Sequence, residues 1–285
     1  MQGYILCQAH GGLNDITCQI WLCTMYAIKH NRSIILTHWS YFKSDLFDIF
    51  DFSNYPVPVY PLKKFKSITY DAVEPEVSKD YLNCFLDKPN NMRNIADNLN
   101  LIPTTVFNKE REYPETTLLF HDSAGGGDDS LEFFKHIKFT PFMARFYGEK
   151  TLNYPSEYNA LHIRNTDIKT NVEPLLQTIS NNELPLFIGT DDISLKEHIL
   201  KTYTNTFSSS FETKNDDNLH YVPDEYILEW AIVDLLSMVF SQNTIKSTYA
   251  RAEVPIYSGF TRLIDLLKTI KSKIHKEISE IPKLS

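Results

Sequence analysis

The sequence predicts an α/β protein built as two halves, each a parallel sheet covered by helices. Three observations point there. Short apolar runs of strand length alternate with stretches whose apolar residues recur at helical spacing, the pattern of parallel strands joined by crossover helices. Several of those runs end in glycine, acidic or basic residues, as strands do when they bring polar groups to the carboxyl edge of a sheet, where open α/β folds bind ligands. A chain of 285 residues is also long enough for two such domains. The expected division is 1–150 and 151–285.

Tyr4 to Cys7 reads as a buried strand, and the loop from Gln8 to Asp15 carries the pair Gly11-Gly12. Ile16, Ile20, Trp21, Cys23, Met25, Ala27 and Ile28 then recur at helical spacing, with Asn14 or Asp15 as the expected cap, and Ser33 to Leu36 forms the next strand. This strand, glycine loop, helix, strand unit sets a helix N-terminus beside paired glycines, an anion or hydroxyl site in waiting. Tyr41 to Phe52 reads as a short helix, and the prolines of Tyr55 to Pro61 require extended chain. Leu118 to His121 is a further strand, followed by the loop that holds Gly125, Gly126 and Gly127. Leu131 to Tyr147 has helical spacing broken at Pro141.

In the second half a strand through Ala160 and Leu161 sets His162, Arg164, Thr166 and Asp167 within six residues. Arginine at a strand end suits an anionic ligand, because its planar fork bonds two phosphate oxygens at once. Leu186 to Gly189 runs into Thr190-Asp191-Asp192, Ser194 to Tyr203 is helical, and Phe207 starts a weak strand. The apolar helix from Glu225 to Phe240 carries Asp234 among Ile232, Val233, Leu235 and Leu236; a carboxylate there must cap, pair or bind something, since burying it bare is costly. Asn243 to Arg251 reads as strand, hydroxyl-bearing turn (Ser247, Thr248, Tyr249) and helix start. The lysine-rich segment Phe260 to Ile278 is an amphipathic helix whose basic face is solvated and could touch anionic lipid or glycan.

Composition narrows the function. A net charge of −8 argues against a broad nucleic-acid footprint. No apolar run reaches the roughly 18 residues of a membrane span. Met1 to Leu6 shows no leader pattern, so the expectation is a cytoplasmic protein. The cysteines Cys7, Cys18, Cys23 and Cys84 lack CxxC spacing and read as buried thiols. No GxGxxG follows a strand, which disfavours a nucleotide-dependent oxidoreductase, and Asp191-Asp192 lacks the DxD spacing that often holds manganese; no metal site is expected.

Taken together, Gly11-Gly12, His162-x-Arg164-x-Thr166-Asp167, Thr190-Asp191-Asp192, Asp234 and Ser247-Thr248-Tyr249, in this order, resemble the fucosyltransferase superfamily with the GT-B fold, closest to the α-1,6-fucosyltransferases of the nodulation and core-fucosylating types. The resemblance implies two Rossmann-like domains facing each other across a cleft, an N-terminal acceptor side and a C-terminal donor side. It implies an inverting, metal-independent transfer of a sugar, fucose from GDP-fucose, to a glycan or glycolipid hydroxyl, with the nucleotide sugar as substrate and no other cofactor. By position Arg164 would hold the diphosphate with groups around Ser247, Thr248 and Tyr249. His162 and Asp234 would lie near the base, and Asp191 and Asp192 would bound the pocket or order its strand. For the base that takes the acceptor proton, the family's glutamate register falls on Val172, with Glu173 one residue later; Asp15, His10 and Asp167 are alternatives. Two positions depart from the family: Asn165, where a second arginine is frequent, and Arg251, where small polar residues are usual. They keep open another donor, such as a UDP-pentose or a different GDP-deoxyhexose, and a binding protein without turnover.

Overall fold

A computed structural model of the chain describes residues 2–39, 45–76, 78–79, 82, 105–165, 170–209, 227–247 and 258–280. In chain order the elements are β1 (Gly3–His10), α1 (Leu13–Lys29), β2 (Arg32–Trp39), α2 (Leu46–Ile49), β3 (Phe50–Asp51), β4 (Val59–Pro61), a 3-10 turn (Leu62–Ser67), β5 (Ala72–Glu74), β6 (Thr105–Val106), β7 (Thr117–Ser123), α3 (Asp129–His136), β8 (Lys138–Phe139), α4 (Pro141–Lys150), β9 (Asn159–Ile163), α5 (Glu173–Ser180), β10 (Leu186–Thr190), α6 (Ile193–Thr202), β11 (Thr206–Phe207), α7 (Ile227–Phe240), β12 (Thr244–Lys246), α8 (Gly259–Lys268) and α9 (Lys271–Ser279).

The chain forms two compact units, Met1–Ser40 with Asp51–Ile137, and Tyr41–Phe50 with Lys138–Ser285. Residues 138–150, assigned to the first half on sequence, therefore fold with the second unit, and packing supplies the reason. Phe139 of β8 lies against Phe50 with ring centroids 5.7 Å apart, and the Thr140 N–H donates to the Ile49 carbonyl at 2.9 Å. The helix α4 packs on α7 through Phe146 and Trp230 (5.5 Å) and through Tyr147 and Phe240 (5.9 Å). The break expected at Pro141 is the start of a helix: Thr140 caps α4 by accepting the Met143 N–H, and Pro141 occupies the first turn, where no donor is missed.

In the first unit the sheet order is β4-β2-β1-β7-β5, parallel throughout, with β6 added antiparallel to β7. β1 is central, so Ile5, Leu6, Cys7 and Ala9 have no exposed surface, which accounts for the unbroken apolar run. The chain leaves β1 for β2 on one side, while β7 lies on the other. Cys7, Cys18 and Cys23 are buried and free; Cys84 lies outside the described residues.

The second unit has the order β11-β10-β9-β12, again parallel. From β9 the chain steps outward to β10 and β11, then returns to lay β12 on the far side of β9. Helix α7 covers this sheet. A Cβ on Gly189 of β10 would stand 1.8 Å from the Met238 Cε of α7, so the glycine lets helix and sheet approach closely. The terminal amphipathic stretch is two helices, and Lys268, Lys271 and Lys273 are half-buried while Lys276 is exposed as expected. Lys268 donates to the Ser241 hydroxyl (3.2 Å) and Lys271 to the Phe240 carbonyl (3.0 Å), so both complement the carboxyl end of α7. Lys273 pairs with Glu277 at 2.6 Å and Lys276 lies 3.7 Å from Glu280. Among the described residues no helix is long and apolar enough to cross a membrane.

Candidate functional site

In each unit the point where the strand order reverses coincides with a polar loop found in the sequence. Such reversals leave a crevice at the carboxyl ends of the strands, because the two connections depart to opposite sides.

In the second unit the reversal lies between β9 and β12, and Arg164 and Ser247 follow those strands directly. The Arg164 N–H donates to the Ser247 hydroxyl at 3.2 Å, the Ser247 N–H donates to the His162 carbonyl at 3.1 Å, and the Thr170 hydroxyl donates to the Arg164 carbonyl. Asn165 is the tie to the neighbouring strand end. Its N–H reaches Asp191 Oδ1 and its side-chain amide reaches Asp192 Oδ2, both at 2.8 Å. Asp192 also caps α6, accepting the Leu195 N–H at 2.9 Å. The two aspartates thus order the turn that carries Arg164. His162 is buried: its Nδ1 meets the Thr261 hydroxyl at 2.9 Å and its ring stacks on Phe260 at 5.1 Å. Burial pushes its pKa down to about 4, with Asp191 opposing and Arg164 reinforcing the shift, so the imidazole is neutral near pH 7.

Asp234 has different neighbours. Burial pushes its pKa up to about 6, against the pull of the Ser209 hydroxyl and Lys196. Its Oδ1 and the Tyr154 hydroxyl are buried with no hydrogen-bond partner among the described residues. No hydrogen bond among the described residues joins Asp234 to His162. Glu173 stands exposed in the first turn of α5, outside the hydrogen bonds that hold Arg164. Asp167, Thr248, Tyr249 and Arg251 lie outside the described residues.

In the first unit the reversal lies between β1 and β7. Gly11 (φ +101°) and Gly125 (φ +127°) adopt left-handed conformations that favour glycine. A Cβ on Gly126 would come within 2.5 Å of the Asn14 amide nitrogen and 3.1 Å of Asp15 Oδ1, which brings the two glycine loops together around the start of α1. Gly12, not Asn14 or Asp15, is the N-cap; Asp15 accepts the Gly12 N–H at 2.8 Å from the third helical position, and Asn14 is buried. Gln19 braces the second loop, donating to the Gly125 carbonyl at 2.6 Å while its Oε1 meets His121 Nε2 at 2.8 Å. At the mouth, His10 Nε2 lies 3.2 Å from Asp122 Oδ1.

Sequence reasoning missed Thr170, Thr261, Phe260, Gln19 and the partnership of His10 with Asp122. Except for Thr170, which bonds the Arg164 carbonyl six residues before it, these are contacts between residues distant in the chain, and only the strand end at His121 offered a signal. Among the described residues no trio of His, Cys, Asp or Glu side chains is placed to hold a metal ion.

Buried His121 makes the first unit acid-sensitive. Its pKa is pushed down to about 3, chiefly by burial and further by Lys109 and His10. The unfolded chain binds this proton at its ordinary pKa near 6.5, so the neutral imidazole's contribution is fully present above that value and is lost as pH falls toward 3. The expected result is a denaturation free energy that drops by several kcal/mol between about pH 6.5 and 4, with His121→Gln flattening the slope. An unchanged slope in the variant would exclude this role.

A scan against protein-family models finds no match, and neither does a search of curated proteins. Solved structures do match. Fucosyltransferase NodZ from Bradyrhizobium aligns over 94% of this chain and 94% of its own, at 14% identity and a TM-score of 0.59. A NodZ α-1,6-fucosyltransferase crystal soaked with GDP-fucose aligns over 94% and 93%, at 15% identity and 0.59. POFUT1 in complex with GDP aligns over 93% and 94%, at 13% identity and 0.57. The fold is the GT-B fold of the fucosyltransferases. At such identities the likeness is one of backbone, and it agrees with the resemblance read from the motifs around Arg164. Among the GT-B elements of this chain, β9, β10 and β12 supply the strand ends on which those motifs sit.

Proposed function

We propose that the protein is a glycosyltransferase that moves fucose from GDP-fucose to a hydroxyl of a glycan or glycolipid, with inversion and without a metal. The observation that carries the reading is Arg164 at the β9/β12 reversal, anchored through its backbone to Ser247, in a fold whose solved examples include GDP and GDP-fucose complexes. In this reading the second unit binds the donor and the first receives the acceptor. The Arg164 guanidinium grips the diphosphate and stabilises the charge that grows on it as the glycosidic bond breaks, a task a fixed cation performs without a metal. Attack on the anomeric carbon from the opposite face inverts its configuration, and a base must take the acceptor proton. Soluble supply of the donor fits a cytoplasmic location.

A second reading, a nucleotide-sugar-binding protein without turnover or a transferase for another donor, is favoured by Asn165. This residue is committed to Asp191 and Asp192 where the family often has a second arginine. A thermal-shift screen across GDP-fucose, other GDP-sugars and UDP-sugars in EDTA separates the readings. GDP-fucose should raise Tm most, and GDP release should match the rate without EDTA. A larger shift with a UDP-sugar would replace the donor, binding without GDP release would favour the non-catalytic protein, and loss of turnover in EDTA would end metal independence.

A further inference from the structure

We propose that the first unit binds a neutral glycan at the start of α1, where Asp15 and Asn14 take up its hydroxyls. The inference rests on the transferase reading and deepens it by giving the chemical class of the acceptor. All the groups involved belong to the first unit. In sequence this helix start suits an anion or a hydroxyl equally, because its unpaired N–H groups can serve either.

Asp15 decides between the two. At the third position of α1 it accepts the Gly12 N–H through Oδ2 at 2.8 Å. The place of a bound anion is therefore held by the chain's own carboxylate, which the positive end of the helix stabilises. A phosphate or a second carboxylate brought there would meet a like charge. Among the described residues Asp15 makes no ion pair that would neutralise it. A neutral, hydroxyl-bearing ligand meets no such repulsion, and its O–H groups are donors that a carboxylate accepts strongly.

Asn14 is the second observation. It is 2% exposed, its side-chain oxygen faces the Cys18 thiol at 3.9 Å, and its amide nitrogen donates to no described residue. A buried amide donor without an acceptor is costly, so its retention here needs an explanation. The amide lies between the glycine loops: a Cβ on Gly126 would stand 2.5 Å from Asn14 Nδ2 and 3.1 Å from Asp15 Oδ1. Gly11, Gly12 and Gly126 are exposed and present no side chains, which leaves the approach to a sugar ring open. At the same end of the sheet, Gln8 of β1 stands level with Asp122 of β7, and its buried Oε1 has no partner among the described residues.

In the bound state Asp15 Oδ1 accepts one hydroxyl of the ring, and Asn14 Nδ2 donates to the oxygen of its neighbour. Donor and acceptor side by side read a pair of adjacent hydroxyls, each of which can give one hydrogen bond and take another.

The test reads glycan binding by the full chain with no donor present. An array of neutral hexose glycans is printed beside their sulfated and sialylated forms, and the glycans bound are titrated in solution. The wild type should hold neutral glycans and not the charged forms, and inorganic phosphate should not displace them. Asp15→Asn should weaken neutral binding by about 10- to 100-fold, the worth of a hydrogen bond to a charged group, and should narrow the gap between neutral and charged glycans. A merely structural role would weaken both alike. Gly126→Ala, which drives a methyl group against Asn14, should also weaken binding. The rise in Tm with GDP-fucose, measured on every variant, reports on fold and donor site. Equal binding by wild type and Asp15→Asn, wild-type binding of the charged forms, displacement by phosphate, or an array with no neutral glycan bound would overturn the inference. The transferase reading would still stand if GDP-fucose is bound and cleaved. A wild type that neither binds nor cleaves any nucleotide sugar would instead remove that reading, and the acceptor role with it.

Discussion

Arg164→Ala is expected to abolish the rise in Tm that GDP-fucose gives the wild type. A guanidinium forked onto a diphosphate makes charge-assisted bonds that neighbouring neutral groups do not replace. Losing them costs about 3 kcal/mol, roughly a hundredfold in Kd. At a donor concentration of about 100 times the wild-type Kd the ligand stabilises the wild type by about 2.7 kcal/mol; the variant, with free donor near its own Kd, gains only about 0.4 kcal/mol. The bond from Arg164 to Ser247 is made by the backbone N–H, which alanine retains. Arg164→Lys keeps the charge without the fork and should recover only part of the shift. A full shift in Arg164→Ala would remove the arginine from the donor site.

Arg32→Ala should unfold the first unit more readily than any surface change. Arg32 opens β2 with 2% of its surface exposed, and burial lowers its pKa. Its Nη1 donates to the Thr117 carbonyl at 2.8 Å, and its Nη2 to the carbonyls of Tyr113 and Pro114 at 2.8 and 2.7 Å. The guanidinium thus fastens β2 to the turn that starts β7, with the chain of Gly3 lying directly over it. Alanine strips three carbonyls of their donor and leaves a hole, at a cost of about 3–5 kcal/mol. Lysine, with a single nitrogen, cannot reach all three in one plane. Urea denaturation followed by tryptophan fluorescence would measure the loss; a change under about 0.5 kcal/mol, the range of ordinary surface substitutions, would refute the role.

These two arginines differ in how visible they were. Arg164 stood out because it follows an apolar strand among His162, Asn165 and Thr166, a local pattern. Arg32 carries no such local pattern, since the carbonyls of Tyr113, Pro114 and Thr117 that it bonds lie more than 80 residues away in the chain. Asp234 stands out as a carboxylate within an apolar helix, whereas Glu229, five residues earlier on the same helix and only 2% exposed, carries no such mark.

The order of strands and helices, the glycine loops and the polar strand ends were fixed by local sequence, because apolar periodicity and turn chemistry act over a few residues. Tertiary structure alone decided that 138–150 packs with the second unit, that Asp191 and Asp192 hold the turn of Arg164 through Asn165, and that His10 meets Asp122. Such choices depend on which strands become neighbours in a sheet. That is settled by burial of the whole core, and no window of the chain contains it.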